Sequence, residues 1–134
     1  MKRVSLFVIL ILSILAFAGC RQSGPSNKIN VAMTDFHYTP DAFIIPAGQE
    51  ITINATNNGA VVHEFVIMNY GTKVTENFEE EDKQNIYWMI ELQPGDQTST
   101  TFTAPTQPGE YQVLCGTPGH FISGMVGKLT VVAP

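Results

Sequence analysis

From Ile29 onward the sequence alternates apolar and polar residues with a period of two, and Pro–Gly or Asn–Gly pairs interrupt it at short intervals. A period of two sends successive side chains to opposite faces of an extended chain, so these runs read as half-buried strands. Ile29, Val31 and Met33 form the first run, and Phe43-Ile44-Ile45-Pro46 leads to a turn at Ala47-Gly48-Gln49. Ile51 and Ile53 alternate before Asn57-Asn58-Gly59, and Val61 to Met68 follows as a further strand. Trp88, Ile90 and Leu92 alternate, Pro94-Gly95 turns, and Thr98, Thr100 and Phe102 alternate again. After Pro108-Gly109 come Tyr111 to Leu114 and finally Lys128 to Val132. Many short strands joined by tight turns give an all-β domain, an antiparallel sandwich or barrel. Met33, Met68 and Met89 read as core or gap-filling residues.

Only Tyr70 to Tyr87 is out of character. Its middle, Glu76 to Lys83, lacks β-branched residues and admits either a short helix, with Thr75 as N-cap, or a solvated acidic loop.

The N-terminus reads as an export signal rather than part of the fold. Lys2 and Arg3 precede an apolar run from Val4 to Ala18, broken only by Ser5 and Ser13. That length suits a secretory h-region and is short for a bilayer span. It ends in Ala18-Gly19-Cys20, which resembles the lipobox of bacterial lipoproteins, although Phe17 stands where Leu is more usual. The resemblance implies lipid on Cys20 and an extracytoplasmic protein, periplasmic or on the outer face of the cell membrane. The other reading is an ordinary signal peptide cleaved nearby. The chain thus divides into a signal peptide (1–19), a lipidated cysteine with a polar Gly/Pro/Ser tether (20–28) and one domain (29–134).

Past the signal, Arg21, Lys28, Lys73, Lys83 and Lys128 face all twelve Asp and Glu residues. This acidic balance argues against nucleic acid and suits a basic protein partner. With Cys20 lipidated, Cys115 is the one remaining thiol; outside the cytoplasm it is exposed to oxidation, and metal ligation is a reason to keep it, burial as a small apolar residue being the alternative.

Cys115 opens the run Cys115-Gly116-Thr117-Pro118-Gly119-His120-Phe121-Ile122-Ser123-Gly124-Met125. Thiolate, imidazole and thioether in one loop lack only a second imidazole to complete the donor set of blue-copper electron transfer. Glycines allow the loop to turn back on itself, and Pro118 stiffens it. His63 and His37 are the remaining histidines. His63 lies in an apolar strand and is taken as the ligand; His37, at a strand end before a turn, reads as a surface residue. Two imidazoles and a thiolate also bind zinc well.

In these features the chain resembles the cupredoxins, the small blue-copper proteins. The resemblance rests on Pro46-Ala47-Gly48-Gln49, Asn57-Asn58-Gly59 before His63-Glu64-Phe65, Pro108-Gly109-Glu110-Tyr111 and, above all, Cys115 through Leu129. It implies a Greek-key β-sandwich with one mononuclear copper ion near one end. His63 and His120 would give imidazole nitrogens, Cys115 the short sulfur bond and Met125 the long axial one. Backbone N–H groups at Glu64 and Thr117 would bond the sulfur. Glu64 departs from the Asn common at that position, which ties the two ligand loops together. His120 would be the electron exit, and Pro118, Phe121 and Ile122 an apolar docking patch.

The function so implied is a monomeric electron carrier, held to the membrane through Cys20 and serving membrane-bound redox partners such as cytochrome or oxidase complexes. Copper handling, as a chaperone, store or sensor, is the alternative, although the Met- or His-rich tracts that favour it are missing. Enzymatic chemistry is disfavoured, since Met125 would fill the axial position and a dinuclear site would need a cysteine where Gly119 stands.

Overall fold

Burial follows the alternation residue by residue. The computed structural model describes residues 24–134, so the segment expected to be a signal peptide and the expected lipidation site at Cys20 lie outside the described residues. The strands are β1 (Lys28–Thr34), β2 (His37–Thr39), β3 (Ala42–Pro46), β4 (Glu50–Asn57), β5 (His63–Met68), β6 (Ile86–Leu92), β7 (Gln97–Thr103), β8 (Gly109–Leu114) and β9 (Val126–Val132). On β1, Ile29, Val31 and Met33 point inward, as Ile51, Ile53 and Ala55 do on β4. The domain is tied down slightly before β1, because the Ser26 N–H donates to Ile44 O at 3.0 Å and the Thr52 N–H to Asn27 O at 2.8 Å.

Two sheets, ordered β2-β1-β4-β7 and β3-β9-β8-β5-β6, pack as a Greek-key sandwich. The pairing is antiparallel, as expected, except in two places. β1 runs parallel to β4, with Ile29 beside Ile53, and β3 runs parallel to β9, with Phe43 beside Leu129. β1 is linked to β4 by way of β3 in the opposite sheet, and a chain that crosses over and returns comes back in the same direction.

Phe65 sits at the centre of the core, fully buried. Tyr38 and Phe43 meet its ring edge-on at centroid distances of 5.4 and 5.5 Å. Trp88 stacks on Phe102 at 4.6 Å, joining β6 to β7 across the sandwich. Such aromatic pairs add about 0.5–1.5 kcal/mol each beyond their burial.

The 70–87 region combines the two expectations, an acidic connection with one short helical turn, and adds a packing role. Val66, Met68 and Leu114 form a second apolar cluster on the outer face of the five-stranded sheet, covered by Val74 and Phe78 from this connection. The Gln112 side chain clips Val74 in place, accepting from its N–H at 2.8 Å and donating to its carbonyl at 2.9 Å. The only helical piece among the described residues is a 3-10 turn, Glu80–Asn85, with no buried residue. It starts after Glu79, whose N–H donates to Asp82 Oδ2 at 2.9 Å, so Thr75 is not the cap. A run of like charges without an apolar stripe has nothing to pack, and a short 3-10 turn is the outcome. Met89 is likewise not core: it lies on the outward face of edge strand β6, 39% exposed. Among the described residues no helix is long and apolar enough to cross a membrane.

Phe65→Ala removes the ring on which both edge-on contacts close. It is expected to lower the unfolding free energy of the metal-free protein by about 3–5 kcal/mol in a urea titration. A loss under about 1 kcal/mol would mean that the core is organised elsewhere.

Candidate metal centre

β5 and β8 are hydrogen-bonded neighbours, with Val66 opposite Leu114 and Ile67 opposite Val113. β5 begins at His63 rather than Val61, and β8 ends at Leu114, so His63 and Cys115 emerge at the same end of the sandwich. Both are fully buried. The chain beyond Cys115 folds back in a tight loop. The His120 N–H donates to Thr117 O at 3.0 Å, the Met125 N–H to His120 O at 3.1 Å, and the Cys115 N–H to Met125 O at 3.1 Å. Gly119 and Gly124 take φ of 84° and 96°, a region that L side chains avoid, and these two reversals return the loop to β9.

The loop delivers His120 against its two predicted partners. His120 Nδ1 lies 3.2 Å from His63 Nδ1 and 3.3 Å from Cys115 Sγ. One donor atom from each of the three residues falls within 4.8 Å of the others. Met125 is fully buried at the end of the same loop, while His120 keeps 7% of its surface exposed. His37 is elsewhere, on the surface with its Nε2 2.9 Å from Thr34 Oγ1.

The pocket disfavours charge on its own groups. Burial pushes the Cys115 thiol up, opposed by the polar groups of Thr117 and the N–H of Glu64. Burial, and then the neighbouring His63, hold the His120 imidazole below its ordinary range. Two imidazoles and a soft sulfur, converging in a buried pocket, suit a single soft or borderline metal ion. The donor set fits copper.

A sequence model described as a cupredoxin-like domain matches residues 6–131. The chain belongs to the cupredoxin-like family. A solved auracyanin from the photosynthetic bacterium Roseiflexus castenholzii is 33% identical, with a TM-score of 0.69, the match covering 81% of this chain and 99% of that one. Auracyanin-B of Chloroflexus aurantiacus is 28% identical, the match covering 81% of this chain and 57% of that protein. The copper-resistant cuproprotein CopI of Rubrivivax gelatinosus is 27% identical, over 77% of this chain and 65% of that protein. The chain therefore spans less than two thirds of the length of either of these two relatives.

Within this cupredoxin the peptide unit around Glu64 is held from both sides. Its N–H donates to Cys115 Sγ at 3.3 Å, and its carbonyl accepts from the buried Tyr38 hydroxyl at 2.6 Å. The departure from Asn at position 64 does not disconnect the two ligand-bearing segments. The Glu64 carboxylate lies against Gly116, whose N–H favours its ionised form, although burial and then Glu91 together raise its pKa.

Two supporting residues escaped the sequence reading. Asp35 Oδ1 lies 2.7 Å from His63 Nε2. Its carboxyl is held below the usual range, first by the Ala60 N–H and then by His63. Asn57 is fully buried. Its Nδ2 donates to Val61 O at 2.8 Å and Leu92 O at 2.9 Å, and its Oδ1 accepts from the Gly59 N–H at 2.9 Å. It clips the 57–63 segment that carries His63. Asp35 looks like an ordinary turn residue in sequence; Asn57 belongs to the Asn57-Asn58-Gly59 motif, but nothing there marks its side chain as a buried clip.

Asn57→Ala leaves the buried Leu92 carbonyl, the part-buried Val61 carbonyl and the Gly59 N–H without their side-chain partner. A loss of roughly 2–4 kcal/mol is expected in thermal or urea unfolding of the metal-free protein. A loss below about 0.5 kcal/mol would show that water replaces the clip.

Proposed function

We propose that this protein is an extracytoplasmic, membrane-anchored carrier of single electrons, built on one mononuclear copper ion held by His63, Cys115, His120 and Met125. The observation that supports it best is the convergence of two imidazole nitrogens and one cysteine sulfur in a buried pocket at one end of a cupredoxin sandwich. Copper bound there would supply a one-electron Cu(II)/Cu(I) couple.

The residues around it have separable tasks. β5 and β8 hold His63 and Cys115, so neither oxidation state would require the scaffold to move. The Glu64 N–H supplies partial positive charge at the sulfur and stabilises a thiolate. His120 alone of these four reaches the surface, so a docked partner would meet its ring. Pro118, Phe121 and Ile122 would form the docking patch, with Ile122 65% exposed, and Phe36 stands at 4.7 Å from the His120 ring. Beside the patch a groove carries Glu64, Glu79, Glu80 and Glu91 around Pro118, and although Lys83 pairs with Glu80 at 2.7 Å, the net acidic lining suits a basic rim on a cytochrome or oxidase partner. Lipid on Cys20 would supply the anchor, and the polar stretch between it and Ser26 would let a monomeric domain pivot between membrane-bound complexes.

A second reading, copper handling outside the cytoplasm, is favoured by the similarity to CopI. Burial of the donors weighs against it, because ready exchange needs exposed ligands.

Adding Cu(II) to residues 24–134 is expected to produce an intense thiolate-to-copper absorption band that bleaches reversibly on reduction. Cys115→Ser is expected to abolish it. A pale spectrum with copper bound would overturn the carrier reading. Release of copper to a competing chelator within seconds, instead of over hours, would favour copper handling.

A further inference from the structure

His63 has two ring nitrogens, and they face different surroundings. Nδ1 points to His120 Nδ1 at 3.2 Å, into the pocket. Nε2 points the other way, to Asp35 Oδ1 at 2.7 Å. An ionised carboxylate has no proton to give, so the nitrogen facing it must carry the hydrogen. A neutral His63 is then fixed as the Nε2–H tautomer, with its Nδ1 lone pair directed at the place where a metal would sit.

Asp35 is itself held. The Ala60 N–H donates to both of its carboxylate oxygens, at 3.2 and 3.1 Å. Gly59 makes the close approach possible: a Cβ there would collide with Asp35 Oδ1 and come within 2.6 Å of His63 Nε2. The next residue, Phe36, covers the pair, its ring 6.3 Å from that of His63 and 4.7 Å from that of His120. A negative charge is thus placed one imidazole away from the candidate centre, on a side chain with 31% of its surface exposed.

We propose that Asp35 is a positioning residue for the metal centre, fixing the tautomer and aim of His63 and biasing the site toward the more highly charged oxidation state of its ion. The inference rests on the copper reading above. Its two parts come apart chemically. Holding the tautomer needs an acceptor at Nε2, which an amide oxygen also provides. Favouring Cu(II) over Cu(I) needs the carboxylate's charge, which an amide lacks. Carboxylate partners of this kind change metal affinity about 10–100-fold when removed.

The experiment compares the full-length protein with Asp35→Asn and Asp35→Ala. In the metal-free state, 15N NMR of the histidine rings is expected to show His63 as Nε2–H in the wild type and in Asp35→Asn, and as a mixture of tautomers in Asp35→Ala. With copper, Asp35→Asn is expected to weaken Cu(II) relative to Cu(I) about tenfold, which raises the reduction potential by about 59 mV for one electron. Asp35→Ala is expected to lose about 10–100-fold in Cu(II) affinity. The spread of backbone amide signals tells a folded variant from an unfolded one, and the near-isosteric Asn variant retains the shape of the site.

An Nδ1–H tautomer in the wild type, or an unchanged tautomer in a folded Asp35→Ala, overturns the positioning role. An unchanged potential in Asp35→Asn overturns the charge role. If copper gives no thiolate band at all, the electron-carrier reading fails instead, while the tautomer measurement still decides whether Asp35 sets the histidine.

Discussion

The site depends on the pairing of β5 with β8. These neighbouring strands run antiparallel through the middle of the larger sheet, and their ladder stops at Val66 and Leu114. Cys115 follows immediately on one side, and His63 and Glu64 lie just beyond on the other. A shift of one residue in this register would turn Phe65 out of the core and separate the Glu64 N–H from the Cys115 sulfur. The core therefore fixes the donor geometry: Phe65, locked between Tyr38 and Phe43, determines the register that brings sulfur and imidazole together. Tyr38 joins the two functions directly, packing its ring on Phe65 while its hydroxyl holds the Glu64 carbonyl.

The sequence made some of this legible and hid the rest for physical reasons. Inward and outward positions on β1, β4 and β7 follow from alternation, because any strand with one buried face must show it. Pairing direction leaves no such trace, since a parallel and an antiparallel partner demand the same period of two, so the β1–β4 and β3–β9 pairs were invisible. Met89 was misplaced because a thioether fits inside or outside an edge strand equally well. Val66 and Leu114 form a second apolar layer, visible only once Val74 and Phe78 are seen to cover it.

Candidate donors were legible because thiol, imidazole and thioether groups are few and their loop is short. Their supports were not. Asp35 and Asn57 are residue types that occur in any turn, and their roles arise from partners 28 and 35 positions away. Glu64 illustrates the same limit. Its identity departs from the family's usual Asn, yet a longer side chain reaching Gly116 links the same two segments.

Burial of the donors bears on which function such a site can serve. A pocket that exposes only a sliver of His120 admits or releases an ion only if the 116–124 loop opens, and that loop is closed by backbone hydrogen bonds from Thr117 through Met125. Each bond contributes about 0.5–1.5 kcal/mol, so together they oppose opening and slow exchange. The same closure buries the donors and holds them in one arrangement, which suits transfer of a single electron and which delivery of the metal itself would have to undo. The groups that keep His63 aimed, Asp35 and the space beside Gly59, act in the same direction: they stiffen the site at the cost of adaptability.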